Sequence, residues 1–121
     1  MIYQSTFVAP SGIVPGVSFT IRRVSVVRRL ELLREIRELS GRLDFYRAGA
    51  SLADKLDASI ASSEIEALYV RWGITRIDGL TIDGLEVTPD LFVDCGPEDL
   101  VREAASLVRA QLGLTEQERK N

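Results

Sequence analysis

Cys95 is the only cysteine of this 121-residue chain, and the chain contains no histidine. Cysteine chemistry requires a thiolate, which a neighbouring base or a helix N-terminus favours. Cys95 stands directly before Gly96-Pro97, close to a predicted helix start, but no imidazole is present to activate it. A free cysteine more often packs as a small hydrophobic residue. We therefore interpret Cys95 as a buried packing residue.

Three carboxylates lie in the segment of residues 74–88, ITRIDGLTIDGLEVT: Asp78, Asp83 and Glu86. A calcium loop requires more oxygen ligands than these three residues supply at this spacing. Asp78-Gly79 and Asp83-Gly84 are instead strong turn signals, of which one suffices for a hairpin. Zinc is excluded because histidine is absent and cysteine occurs once. We predict turns here and no metal site.

The remaining sequence shows no catalytic set. The other carboxylates lie on patterned helix faces, the glycines are dispersed, and no phosphate-binding loop is present. Tyr69 and Trp72 could anchor an interface, but core packing is the favoured interpretation for both. We predict a protein that is not an enzyme, with no catalytic residue, no cofactor and no bound metal.

The charge is unevenly distributed, with net +4 in residues 1–50 and net −7 in residues 51–121. Arg22, Arg23, Arg28 and Arg29 could contact the phosphates of a nucleic acid. Acidic residues interleave with the arginines, however, and no alternating aromatic residues offer a stacking surface. A nucleic-acid binder is therefore the less favoured alternative, and attraction between the two halves, within one chain or between subunits, is favoured.

The elements that position these residues are mainly helical. Residues 24–50 carry an apolar stripe at helical spacing, widened at its start by Val26, Leu30 and Leu33, with Ser25 as the N-cap and Gly49 near the end. The stripe itself consists of Leu32, Ile36, Leu39, Leu43, Tyr46 and Ala50. A second helix runs from about Leu52 to Trp72, and the short link predicts an antiparallel helical hairpin. Small residues at positions 58, 59, 61, 62, 63 and 67 allow close helix approach.

The N-terminal part is β-prone in residues 2–8, and residues 17–22 alternate as a half-buried strand does. The two runs predict a hairpin, while an extended arm of residues 1–16 that pairs with another subunit stays open as an alternative.

Two C-terminal helices begin at Thr88-Pro89 and Gly96-Pro97, and the second stops at Gly113. Thr115 and Glu118 have capping-box spacing, but residues 114–121 leave little length for a helix and are expected to fray or to fold onto a partner.

The expected fold is therefore mainly α (α+β), with an N-terminal strand or hairpin, a long helical hairpin, a small β-turn segment and C-terminal helices. The length fits a single domain, residues 1–121. The start lacks a signal-peptide pattern and no run of about 18 apolar residues occurs. From this we expect a soluble, cytosolic protein with no membrane partner.

A family resemblance adds a functional expectation. Its motifs are Tyr69-Val70-Arg71-Trp72-Gly73-Ile74, Ile77-Asp78-Gly79, Thr88-Pro89-Asp90-Leu91, Gly96-Pro97-Glu98-Asp99-Leu100, Val101-Arg102-Glu103, the terminal Leu114-Thr115-Glu116-Gln117-Glu118-Arg119-Lys120-Asn121, and Phe19-Thr20-Ile21-Arg22 before a charged helix. Together they resemble small tail-assembly chaperone proteins of long-tailed bacteriophages and prophages. The likeness covers about residues 17–121, and residues 1–16 match nothing in that family.

The resemblance implies a non-enzymatic role in the bacterial host cytoplasm. Proteins of this kind are thought to coat the helical tape-measure protein before the tail tube polymerises. A homo-oligomer and a tape-measure partner are therefore expected. The alternatives are another phage structural or assembly component, such as a head-tail joining or neck protein, or an oligomeric binding protein of another kind.

Overall fold

The computed structural model describes residues 1–113, which form four helices and two antiparallel sheets. The strands are β1 (Thr6–Pro10), β2 (Ser18–Arg22), β3 (Ile74–Asp78), β4 (Thr81–Ile82) and β5 (Leu85–Glu86). The helices are α1 (Val26–Ala48), α2 (Leu52–Gly73), α3 (Pro89–Cys95) and α4 (Glu98–Ala110). The predicted mainly helical α+β fold is confirmed. The predictions for residues 114–121 lie outside the described residues.

Local capping sets the starts of three helices. The Ser25 hydroxyl accepts from the Arg28 amide at 3.3 Å, and the Ser51 hydroxyl accepts from the Asp54 amide at 3.0 Å. Thr88 caps α3 in the same way. Each cap satisfies a backbone N–H that has no partner inside its helix. The boundaries of α1 and α2 therefore agree with the sequence prediction.

The N-terminal strands form a hairpin within the chain. β1 pairs antiparallel with β2, from Thr6 opposite Arg22 to Pro10 opposite Ser18, and β2 pairs in turn with β3. Residues 6–10 therefore form the edge strand of a sheet within the chain, as the hairpin prediction has it. The strand begins four residues later than the sequence pattern suggested, and Met1, Ile2 and Tyr3 are exposed.

The core lies between the three-stranded sheet and the helices. Phe19 and Phe92 are fully buried with ring centroids 6.0 Å apart, and Ile21, Leu32, Val70 and Val108 are buried around them. Alternation along β2 directs Phe19 and Ile21 inward because successive strand residues point to opposite faces.

Helices α1 and α2 pack along each other across the short link of residues 49–51, as predicted. Leu32 and Leu43 of the α1 stripe are buried. Val26 and Leu30, which the sequence pattern adds to that stripe, are exposed instead. The first turns of α1 therefore present apolar side chains to the surface.

Candidate functional site

Helix α4 covers only the C-terminal part of α2. Val108 near the end of α4 packs against Gly73 at the end of α2, and Arg102 Nε lies 3.7 Å from Glu66 Oε1. The two helices therefore run in the same direction. α2 has 22 residues and α4 has 13. At about 1.5 Å per residue, α2 extends roughly 14 Å beyond the start of α4.

This extension leaves an apolar row on α2 without a covering element among the described residues. Leu52, Leu56 and Ile60 follow one another at four-residue spacing and are 72%, 57% and 56% exposed. Residues four apart lie on one face of a helix. Phe45, near the end of α1, is also exposed. Single exposed apolar residues are common, but a continuous row marks a candidate contact surface.

The row leads into a groove between α2 and the junction of α3 and α4. This α2–α4 groove has a volume of about 500 Å³. Its apolar lining consists of Ile60, Ala67, Val93 and Val101, and its polar lining consists of Ser59, Ser63, Glu64, Glu66 and Glu98. Ile60 belongs both to the exposed row and to the groove. The row and the groove therefore form one surface.

The charged residues of the groove are mainly acidic. Arg102 pairs with Glu98 at 3.1 Å and with Glu66 at 3.7 Å. Glu64 forms no ion pair with any residue in the described range 1–113. Three glutamates line the groove, and Arg102 is the cation that pairs with two of them. The surface therefore offers an apolar stripe with net negative charge beside it.

Comparisons with protein-family models, with curated proteins and with solved structures find no match to this chain. The site is therefore interpreted from its own geometry. Within residues 1–113, no helix is long and apolar enough to cross a membrane. The same residues contain no cluster of three histidine, cysteine or acidic side chains with the proximity that a metal ion requires.

Cys95 is exposed, so the prediction of a buried packing residue is wrong. Phe92 fills the core position of α3, and Cys95 is the last residue of that short helix, where the chain leaves the core. Cys95 therefore ends α3, and α4 begins three residues later at Glu98. The sequence pattern did not distinguish the buried position of Phe92 from the exposed position of Cys95, because α3 spans only two turns.

Asp78 and Asp83, the two aspartates of the predicted turns, lie in different local structures. Asp83 adopts a positive φ of 51° in the turn between β4 and β5, followed by Gly84 at 76°, which confirms the turn interpretation. Asp78 ends β3, and its carboxylate accepts from Arg76 Nε at 2.8 Å.

The four arginines proposed as phosphate contacts do not form one continuous track. Arg29 donates to the carbonyl of Leu112 at 2.8 Å and thereby closes the end of α4. Arg23 lies over the Phe7 ring and Arg28 lies over the Trp72 ring. Within residues 1–113 each ion pair joins residues of the same half of the chain. Attraction between the two halves, within one chain or between subunits, stays a prediction.

Tyr69 is buried in the core, and Trp72 is partly buried against it. Core packing is therefore confirmed for both residues. The exposed row on α2 is the feature that sequence reasoning missed, because the predicted helical hairpin did not indicate which part of α2 its neighbours leave uncovered. The unequal predicted lengths of the second and last helices were a signal that could have revealed it.

Proposed function

We propose that this protein is a non-enzymatic tail-assembly chaperone-like protein of a phage or prophage, which binds an amphipathic helix of a tape-measure protein on α2. The partner's identity rests on the family resemblance of the sequence. The observation that supports helix binding is the exposed row of Leu52, Leu56 and Ile60, continuous with the α2–α4 groove.

The geometry favours a helix as the bound element. Helix-in-groove recognition places apolar side chains at helical spacing into an apolar surface. A helix that continues the line of α4 would cover the α2 residues that α4 leaves open. At about 1.5 Å per residue, ten residues of such a helix span the roughly 14 Å extension.

Charge defines the partner further. Glu64, Glu66 and Glu98 line the groove, with Arg102 as the neighbouring cation. Opposite charges across an interface favour association and orient the partner. We therefore propose a helix with one apolar stripe and basic residues beside it, held in the host cytoplasm until tail assembly.

Co-expression tests this proposal. The full chain is co-expressed with a tape-measure fragment that carries a basic amphipathic helix, and the soluble complex is quantified after purification. Leu56→Lys and Ile60→Lys should abolish the complex because each places a charge within the row. Leu85→Lys, at a residue 60% exposed in β5, is the matched control and should leave the complex intact.

Two outcomes contradict the proposal. One is a fragment whose solubility and recovery do not change with the wild-type chain. The other is a stable complex that Leu56→Lys does not weaken. If light scattering instead shows that the chain alone forms a fixed oligomer which Leu56→Lys dissociates, the row is a contact between copies. The proposed function would then be that of a structural or assembly component and not that of a chaperone.

A further inference from the structure

A second concave surface lies where β1 begins, β2 ends and β3 begins. It has a volume of about 520 Å³, and three of its lining residues are Arg22, Arg23 and Arg28. The other lining residues carry hydroxyl groups: Ser5, Thr6, Ser25 and Thr75. We call this surface the arginine pocket. No carboxylate lines it within the described part of the chain.

The fold itself brings these residues together. Arg22 is the last residue of β2 and lies opposite Thr6 of β1, and the Arg23 amide donates to the Ser5 carbonyl at 2.8 Å. Ser25 and Arg28 belong to the start of α1. Three cations from seven consecutive positions therefore line one pocket, because strand and helix meet at a short turn.

Aromatic rings support two of the guanidinium groups. The Arg23 guanidinium lies 4.9 Å from the centroid of Phe7, and that of Arg28 lies 5.9 Å from the centroid of Trp72. Contact with an aromatic face leaves the N–H groups at the guanidinium edge available for an acceptor. Arg28 Nη1 also lies 3.5 Å from Glu31, in a pair whose side chains are both more than a third exposed.

Two buried donors in this region have no acceptor. Arg22 Nε and Trp72 Nε1 are both inaccessible to solvent and make no hydrogen bond within residues 1–113. The first turn of α1 likewise contains no acidic residue to balance its helix dipole. Neither buried donor is open to the pocket. The three lining arginines, with no carboxylate beside them in the described lining, and the uncompensated start of α1 indicate an anion with several acceptor oxygens.

We propose that the arginine pocket binds the phosphate group of a small phosphorylated ligand. Guanidinium groups match phosphate oxygens with paired hydrogen bonds, and hydroxyl side chains supply further donors. A nucleic acid would require a continuing line of cations. Arg29, the next arginine along α1, is instead bonded to the end of α4. The pocket therefore fits one phosphate group rather than a polymer backbone.

Calorimetry and fluorescence of the full chain test the site with inorganic phosphate. Trp72 is the only tryptophan, and its ring lies under Arg28, so binding should change its emission. Saturable binding is expected at constant ionic strength. Removing one charged contact, in Arg28→Gln or Arg23→Gln, should weaken binding about tenfold or more. Arg76→Gln, at an exposed residue outside the pocket, is the matched control and should bind as the wild type does.

Three results would overturn the proposal. The first is an absence of heat and of emission change up to about 10 mM phosphate, above the 1 mM Kd of a weak ligand. The second is an equal response to sodium chloride at matched ionic strength, or equal weakening by Arg76→Gln. The third is a DNA duplex that binds more tightly than phosphate and loses affinity in Arg28→Gln, which would assign the pocket to nucleic acid. Circular dichroism verifies that each variant is folded, and the two pocket variants serve as independent tests.

Discussion

Gly73 of α2 and Val108 of α4 are in direct contact, with no space for another atom between them. A Cβ placed on Gly73 would lie 2.5 Å from Val108 Cγ1 and 2.6 Å from Val108 Cγ2. This contact fixes how closely α4 approaches α2 at their C-terminal ends. Because α2 has 22 residues and α4 has 13, this alignment of their C-terminal ends leaves the N-terminal part of the α2 face uncovered.

Gly73→Ala should lower the free energy of unfolding by about 1 to 3 kcal/mol, because the added methyl group overpacks a buried contact. Chemical denaturation measures the change. Gly41→Ala is the matched control, since nothing lies within 4 Å of its added methyl group and the site is exposed in the middle of α1. That control should gain up to about 1 kcal/mol from the higher helix propensity of alanine.

Val108→Ala in the Gly73→Ala background completes a double-mutant cycle. Val108→Ala alone removes buried methyl groups and should destabilise the fold, but in the Gly73→Ala chain it also relieves the clash. A negative coupling, in which the double variant is more stable than the sum of the single effects, is expected. Simple additivity would show that the two residues are not in contact.

Gly79→Ala should destabilise the fold more than Gly84→Ala. Gly79 has a φ of +80°, and its added Cβ would lie 2.0 Å from the Gly16 carbonyl oxygen, so both conformation and space require glycine. We expect a loss of roughly 3 kcal/mol or more. Gly84 has a φ of +76° with nothing within 4 Å, and its loss should be about 1 kcal/mol from strain alone. Equal losses in urea unfolding would contradict the Gly16–Gly79 contact.

Arg29→Met should loosen the end of α4. The Arg29 guanidinium donates to the carbonyls of Leu112 and Gln111 at 2.8 and 3.4 Å, and these carbonyls have no partner inside α4. We expect a loss of about 1 to 2 kcal/mol. Arg34→Met changes an exposed arginine of the same helix and should leave the stability within about 0.5 kcal/mol. Amide exchange in α4 should rise in the first variant alone.

Glu103→Gln should release the loop between β1 and β2. The Glu103 carboxylate accepts from the Ser11 hydroxyl at 2.6 Å and from the Gly12 amide at 2.7 Å. Glutamine retains one acceptor oxygen, so about 1 kcal/mol should be lost and exchange of the Gly12 amide should rise several-fold. Glu98→Gln, at an exposed pair with Arg102, is the control. Unchanged protection of Gly12 would show that the carboxylate does not hold the loop.

Leu56→Lys should abolish partner binding while leaving the free energy of unfolding within about 0.5 kcal/mol, because the side chain is already 57% exposed. Thermal melting of the isolated protein measures the second quantity. A large loss of stability would mean that Leu56 is buried in solution, and the exposed row would then not be a free surface.

Much of the fold could be predicted from the sequence because it is set by short-range chemistry. Ser25, Ser51 and Thr88 begin helices since their hydroxyls reach backbone N–H groups three residues away. Asp83-Gly84 forms a hairpin turn because both residues tolerate positive φ. The α1 stripe also predicted Leu32 and Leu43 as core residues, since helical period alone places them on one face.

Tertiary structure decided which apolar faces are covered. The same period that identifies Leu32 also marks Leu30 and Leu56, yet only Leu32 is buried. Burial depends on where a second element lies and how long it is, and neither is encoded in the residues being covered. The position of α4 against Gly73 leaves Leu52, Leu56 and Ile60 open, and the meeting of β2 with α1 gathers Arg22 and Arg28 in one pocket. Both candidate sites therefore result from long-range packing, which a local sequence pattern does not specify.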